Sequence, residues 1–498
     1  QTQAGTVLNN GASPASLTVG TGNGGSRFYG NITDGTGVLS LNVTGRGVTG
    51  LYGVNTFSGG LFIGGGGTVR TDSSRSLGSG AITFYDDVEG GKLMVGTTNF
   101  SGRYNVDGIG TIDVGTGLTS SLTGNLTGAG TLIKSGDGDL VLLTSTANFT
   151  GDLVLGYGAL GAGNDYARLR LYATTQTTQP TGRLEGVKSV TINPGSELLI
   201  SNARIAPEVD FLNDSAAIYL TGGSLYYQGA YGTASQETVG AVTLVEGVSV
   251  ITSSHYRSTG YANLNLGSLT SQAGTVAFFL GNGTLGGQSK IFIGGMPDGF
   301  MGGNYFAVPS TARQDFVKYD SSNGVQPLND SDYAIVTSAT GAETYFTAGN
   351  NVKLQQASGN LDIVLPASDY QVNSLNMQGP AGAATTAQQN LTIGAANTLN
   401  VTSGGIIVGG ASATAAQNYR ISSGTLTATS GSLDFFTYTN RTLLLTSNIT
   451  DYSDGETTTP VNIVKLGPGT LNFNQTASNT HTGDTYILGG VASMTAAD

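Results

Sequence analysis

The chain has no cysteine and no tryptophan, and only 2 histidines and 11 prolines among 498 residues. Without cysteine there is no disulfide framework, so stability must come from packing and a hydrogen-bond ladder, although secretion is not excluded. Charge is scarce as well: 10% of residues are charged and the formal net charge is −12. That balance argues against nucleic acid, whose binding needs clustered Lys and Arg. It argues equally against docking on an anionic membrane. No run approaches the ~18 consecutive apolar residues of a membrane span. A helical period of 3.6 is almost nowhere sustained.

What is abundant is glycine, with 79 residues, roughly twice the usual ~7%. Collagen is excluded because there is no Gly-X-Y period and little proline. Disorder is excluded because 38% of residues are apolar and they fall in short β-rich runs such as Leu140–Leu142 and Ile406–Val408. Strand-like pieces alternate with Gly, Asn, Asp and Ser clusters: Ser16–Val19, Val38–Val43, Leu153–Leu155, Leu198–Ile200, Val276–Leu280, Leu443–Leu445. A spacing of ~8–12 residues suits an antiparallel sandwich or a solenoid. A sandwich of this length would need several domains and visible linkers, and none is present.

Internal self-similarity selects the solenoid. One unit runs Leu132–Leu142 and continues Asn148–Leu155; it returns as Ile463–Phe473 followed by Asn479–Leu488. A degenerate copy runs from Leu41 through Gly45-Arg46-Gly47 to Asn55–Ile63. In each unit two short strands point alternate side chains inward, and a Gly-x-Gly pair turns the chain. The Asn before the aromatic residue caps the next turn or stacks between rungs. One unit cannot bury its apolar face alone, but stacked units make a continuous core. At ~4.8 Å per coil the expected fold is an all-β, elongated parallel β-helix on the order of 100 Å long.

These units resemble the autotransporter-associated β-strand repeat, L-x-K-x-G-x-G-T-L-x-L followed by N-T-Y-x-G-x-T-x-I-x-x-G. The match is close at Lys465–Gly490 and looser at Leu132–Gly158, and Leu77–Ile82 is similar to the family's L-G-S-G-A-I segment. Glu237–Leu244, Asp315–Asp320 and Asn323–Leu328 are similar to the middle regions of large secreted proteins that carry the repeat. The resemblance implies secretion, a right-handed parallel β-helix and a passenger-like surface role, with no particular enzymatic activity. On this reading residues 1–200 form N-terminal coils with repeat units, 201–370 central coils with longer loops, and 371–498 C-terminal coils ending in a full repeat. The start at Gln1 suggests a removed signal peptide. The stop at Ala496-Ala497-Asp498, without a barrel or sorting tail, suggests a fragment, a processed form or an open end that meets a partner.

Candidate chemistry is thin. His481 stands where the repeat has Tyr or Phe, which favours a stacking role. His255, in Ser253–Arg257, is a conceivable general base, but no carboxylate lies nearby in sequence. Asp86-Asp87, Asp330 and Asp332 read as turn residues rather than as the paired carboxylates of a glycan-processing enzyme. Asp451–Glu456 and Asp137-Gly138-Asp139 are oxygen-rich, yet neither fits a known calcium loop, and turn chemistry explains both. Tyr226, Tyr227, Tyr231, Tyr256 and Tyr261 are a conceivable glycan-stacking face, with packing or an interface as the simpler reading. Sequons at Asn31, Asn125 and Asn448 are weak evidence in so Asn-, Ser- and Thr-rich a chain. No catalytic, cofactor or metal residue is assigned.

The expected protein is therefore an extracellular or cell-surface, non-enzymatic structural element that associates end to end into fibres or forms part of a surface layer. The strand Gly5–Leu8 is a candidate for donation across such a junction. The alternatives are an adhesin passenger acting through its lateral face on a surface or extracellular glycan, and a polysaccharide-processing enzyme.

Overall fold

The computed structural model describes residues 5–85, 88–96, 99–144, 146–156, 167–172, 182–202, 210–256, 260–307, 314–355, 359–378, 388–409, 417–475 and 478–494. Asp86, Asp87, Arg257 and Ala496–Asp498 lie outside the described residues. The chain is all-β, and its parallel sheets stack into a β-solenoid of about 16 turns, as the repeats predict.

Inward ladders show why these sequences form coils. Leu140, Leu169, Leu198, Leu225, Ile251 and Phe279 follow one another in register on successive coils, and all are buried. Strand alternation sends their neighbours outward. The repeat's first turn glycine is needed twice over. Gly136 has φ of 72°, and a Cβ there would lie 2.2 Å from the Val114 carbonyl oxygen of the preceding coil.

The repeat lysine is an inward residue. Lys134 pairs in register with Ile112 and Leu155 and is fully buried. Its ammonium donates to the Ser135 and Gly136 carbonyls at 2.7 and 2.6 Å. Lys465 does the same, donating to Leu466, Gly467 and Gly489 carbonyls at 2.8, 2.8 and 2.9 Å. The lysine thus closes the Gly-x-Gly turn from inside. The repeat asparagine joins coils: Asn55 Oδ1 accepts the Ile32 amide at 2.8 Å, and Asn479 Oδ1 accepts the Ile449 amide at 2.8 Å. These contacts are neither of the two expected roles, a turn cap or a stack of asparagines, but a bond to the backbone amide of the preceding coil.

The coils fall into two stacks. One core draws on residues between Ile32 and Val325, another on residues between Val336 and Phe473. A third cluster lies between them, built from outward-pointing Val276, Phe306 and Phe316 of the first stack and Ile407, Phe436, Val464 and Leu466 of the second. Contacts across this seam run in reverse sequence order. Asn376 donates to Asp315 at 3.2 Å, Phe436 packs on Phe306 with ring centroids 5.6 Å apart, and Gly274 lies beneath the Tyr486 ring. The second stack therefore runs back alongside the first.

Antiparallel pairing makes the reversal. Asp315–Asp320 pairs antiparallel with Gly299–Phe300, Tyr305–Ala307 and Gly324–Pro327, where the stacked coils pair parallel. Asp330 and Asp332 sit in a turn capped by Asn329 and are held by Lys353 at 2.8 Å and Lys318 at 2.7 Å. Because the direction of winding reverses, the coil of Thr6–Asn9 and the coil of Val491–Met494 open toward the same axial direction.

Candidate functional site

Four consecutive strands of the first stack, Ser196–Ser201, Ser224–Tyr231, Gly247–Tyr256 and Thr275–Gly281, turn one face away from the core. Their registers align outward columns: Glu197, Ser224 and Val250; Leu199, Tyr226, Thr252 and Leu280; Ser201, Gln228 and Ser254. Apart from Leu199 and Ser201, these residues, with flanking glycines and Tyr256, line a lateral groove of about 890 Å³. Each rung, ~4.8 Å from the next, adds an amide, a hydroxyl or an aromatic face.

Among the described residues lining this groove there is no lysine or arginine, and the one carboxylate is Glu197. Arg168 Nε holds Glu197 at 2.6 Å, and Arg170 holds Asp139 at 2.8 Å on the adjoining rungs. Burial pushes the Glu197 carboxyl above its usual range, and Arg168 opposes that shift. The groove therefore presents neutral hydrogen-bonding groups and ring faces rather than a net field. That chemistry suits a ligand that combines hydroxyls with apolar C–H faces.

The structure divides the tyrosine cluster. Tyr226 and Tyr256 line the groove, and Tyr231 packs edge-on against Tyr256 with centroids 6.1 Å apart. Tyr227 points into the core and is fully buried, while Tyr261 is exposed on a strand of a different sheet. His255 also borders the groove; its Nδ1 lies 3.1 Å from the Ser289 hydroxyl. His481 is half-buried, with its backbone amide on the Ile449 carbonyl at 3.3 Å.

The acidic candidates are used locally. Asp139 is paired with arginines, and Asp137 accepts from Thr116 at 3.3 Å. Asp454 accepts the Glu456 and Thr457 amides at 2.9 and 2.8 Å. Asp451 accepts the Val461 and Thr482 amides at 2.9 and 2.8 Å, and together these amide bonds hold its carboxyl below the usual range despite its desolvation. Asn31 is exposed, and so is Asn125, while Asn448 is half-buried.

Sequence reasoning missed Glu197, Gln228, Thr252 and Ser254 as one site. They are dispersed over three coils, and only the inward ladder Leu198, Leu225, Ile251 carries the register that aligns them.

The fold defines a β-solenoid with a lateral groove. The chain is similar to the adhesin BmaC autotransporter of Brucella suis biovar 1 (strain 1330), at 33% identity over 153 residues, which is 30% of this chain. The matched part spans 4% of the length of that relative. No protein-family model matches the chain, and no solved structure matches it. The β-solenoid and the partial similarity fit an autotransporter passenger-like protein.

Proposed function

We propose that this chain is a non-enzymatic segment of a secreted, surface-displayed adhesin passenger, and that it contacts a neutral extracellular glycan through the lateral groove. The observation that carries this reading is the groove's lining: Tyr226 and Tyr256 with amides and hydroxyls repeated once per rung, and no lysine or arginine among the described residues that line it. A glycan laid along the solenoid axis meets one set of polar groups per rung, a spacing close to the length of one sugar residue. The partial similarity to an adhesin supports the same reading. The lysine contacts shared by Lys134 and Lys465, and the asparagine contacts shared by Asn55 and Asn479, support assignment of these units to the autotransporter-associated β-strand repeat.

A fibre built by stacking coils end to end is the second reading. Its support is the exposure of Leu8, Ile487, Val491 and Met494 on the outermost described coils. The fold-back weighs against it, because those coils open the same way and a translation along the axis does not join them.

The test is binding of the purified chain to immobilised neutral and acidic glycans, beside Tyr226→Ala and a Tyr261→Ala control. Retention on neutral glycans that falls at least tenfold with Tyr226→Ala alone supports the groove. Equal retention by both variants, or preference for acidic glycans, refutes it. Release of reducing ends from the bound glycan would refute the non-enzymatic part.

A further inference from the structure

The seam between the stacks contains a buried carboxylate. In the strand Ser432–Thr437, Leu433 and Phe435 face their own core, so Asp434 and Phe436 face the first stack. Gly405 stands one rung away in the same column as Asp434. There the two stacks touch backbone to backbone, and a Cβ on Gly405 would lie 2.8 Å from the Gly303 Cα. Asp434 thus projects toward the first stack where there is little room for a charge to escape, and it is only 3% exposed.

The carboxylate borders a cavity of about 370 Å³. The first stack contributes Thr275 and Asn304 to its wall, and the second contributes Ser403, Ser430 and Asn462. Asp434 is the only ionisable side chain among the described residues lining it. Its hydrogen-bond partner is the Ser432 hydroxyl at 2.8 Å, which accounts for one of its two oxygens. A buried carboxylate without a counter-charge is costly unless something neutralises it. The remaining wall is hydroxyl, amide and glycine backbone, the oxygen chemistry that hard cations take. At ~30 Å³ per water the space accommodates a cation together with several of its waters.

We propose that this cavity binds a partly hydrated divalent cation of the calcium class, which neutralises Asp434 and clamps the second stack onto the first. Asp434 supplies the charge, and amide, hydroxyl and carbonyl oxygens of both stacks complete the shell through water. A single carboxylate places the affinity in the weak range of extracellular calcium modules, about 10⁻⁴–10⁻³ M. Such a site is occupied outside cells and empties in chelator.

Thermal melts of the whole chain in chelator and in calcium chloride test this, with calorimetric titration of calcium alone as the direct measure. For a dissociation constant near 1 mM, ~10 mM calcium raises the folded-to-unfolded ratio about tenfold, read as a higher melting temperature. Asp434→Asn melts at or above the wild-type temperature in chelator, because the buried charge is gone, and does not respond to calcium. A wild-type chain that neither binds calcium nor changes its melting temperature overturns the proposal. So does an Asp434→Asn chain that responds as the wild type does, since general screening of the net −12 charge then explains the effect. Should Asp434→Asn fail to fold, loss of the calorimetric signal in Asn304→Ala, set against an unchanged signal in Asp454→Asn, is the result expected.

Discussion

Cysteines placed at positions 274 and 486 test the fold-back directly, because the chain has no other cysteine to compete. A Cβ on Gly274 would lie 2.7 Å from Cγ of Tyr486, so the two Cβ atoms approach within the ~3.5–4.5 Å that a disulfide requires. The double variant Gly274→Cys/Tyr486→Cys is therefore expected to close a bridge within one chain under mild oxidation. Chain-entropy reasoning for a loop of about 210 residues gives roughly 5 kcal/mol of stabilisation as an upper value. Gly274 has φ of 73°, and a residue with a Cβ in that region costs about 1–2 kcal/mol. The net gain expected is then about 3–4 kcal/mol, visible as a melting temperature that drops when reductant is added. Non-reducing electrophoresis and peptide mass spectrometry identify the link. Free thiols in the folded chain, or bridges only between chains, would show that the second stack does not lie along the first.

Asp315 makes stability depend on pH. Burial raises its carboxyl to about 6, against hydrogen bonds from Tyr333 and the Phe316 amide that pull it down. Its contribution is complete below the unfolded value near 3.8 and is lost as pH rises through about 6, a fall of about 3 kcal/mol by pH 7. Asp315→Asn should shrink the difference between melts at pH 3 and pH 7 by about that amount, and unchanged curves would refute it. Asn55→Ala strips the Ile32 amide of its acceptor and the Ser76 carbonyl of its donor, both in the buried interior. At ~1–3 kcal/mol per orphaned group, a loss of about 2–6 kcal/mol is expected in denaturant titration. Asn479→Ala, half-buried on an outer coil, should cost less than about 1 kcal/mol because water replaces the bond; equal losses would contradict the bridging role.

Much of the coil was legible in the amino-acid pattern because its causes are local. Alternation within Leu132–Leu142, the turn glycine Gly136 and the asparagine before the aromatic residue all act within about 30 residues of one another. The same motif spacing in Leu41–Ile63 marked a degenerate copy, and Asn55 there makes the amide contact that Asn479 makes in the full repeat. Two signals were present but read too simply. Ile406-Ile407-Val408 is a run of consecutive apolar residues on a strand that should alternate, which means that both faces are buried, as at Phe435-Phe436. Their outward members, Ile407 and Phe436, are the seam. Adjacent Tyr226 and Tyr227 must point to opposite faces, so only one of them was available to a surface site.

By itself, the sequence determined that the chain coils into stacked parallel strands with an apolar interior and a neutral polar exterior, since every rung repeats the same short-range pattern. Only the tertiary structure decided that the stack doubles back, that outward side chains from four coils form one groove, and that Asp434 is shut between the two stacks. Those features depend on which outward faces meet across some 30 to 210 residues, and side chains pointing away from a coil's own core carry no periodic mark of their eventual neighbour.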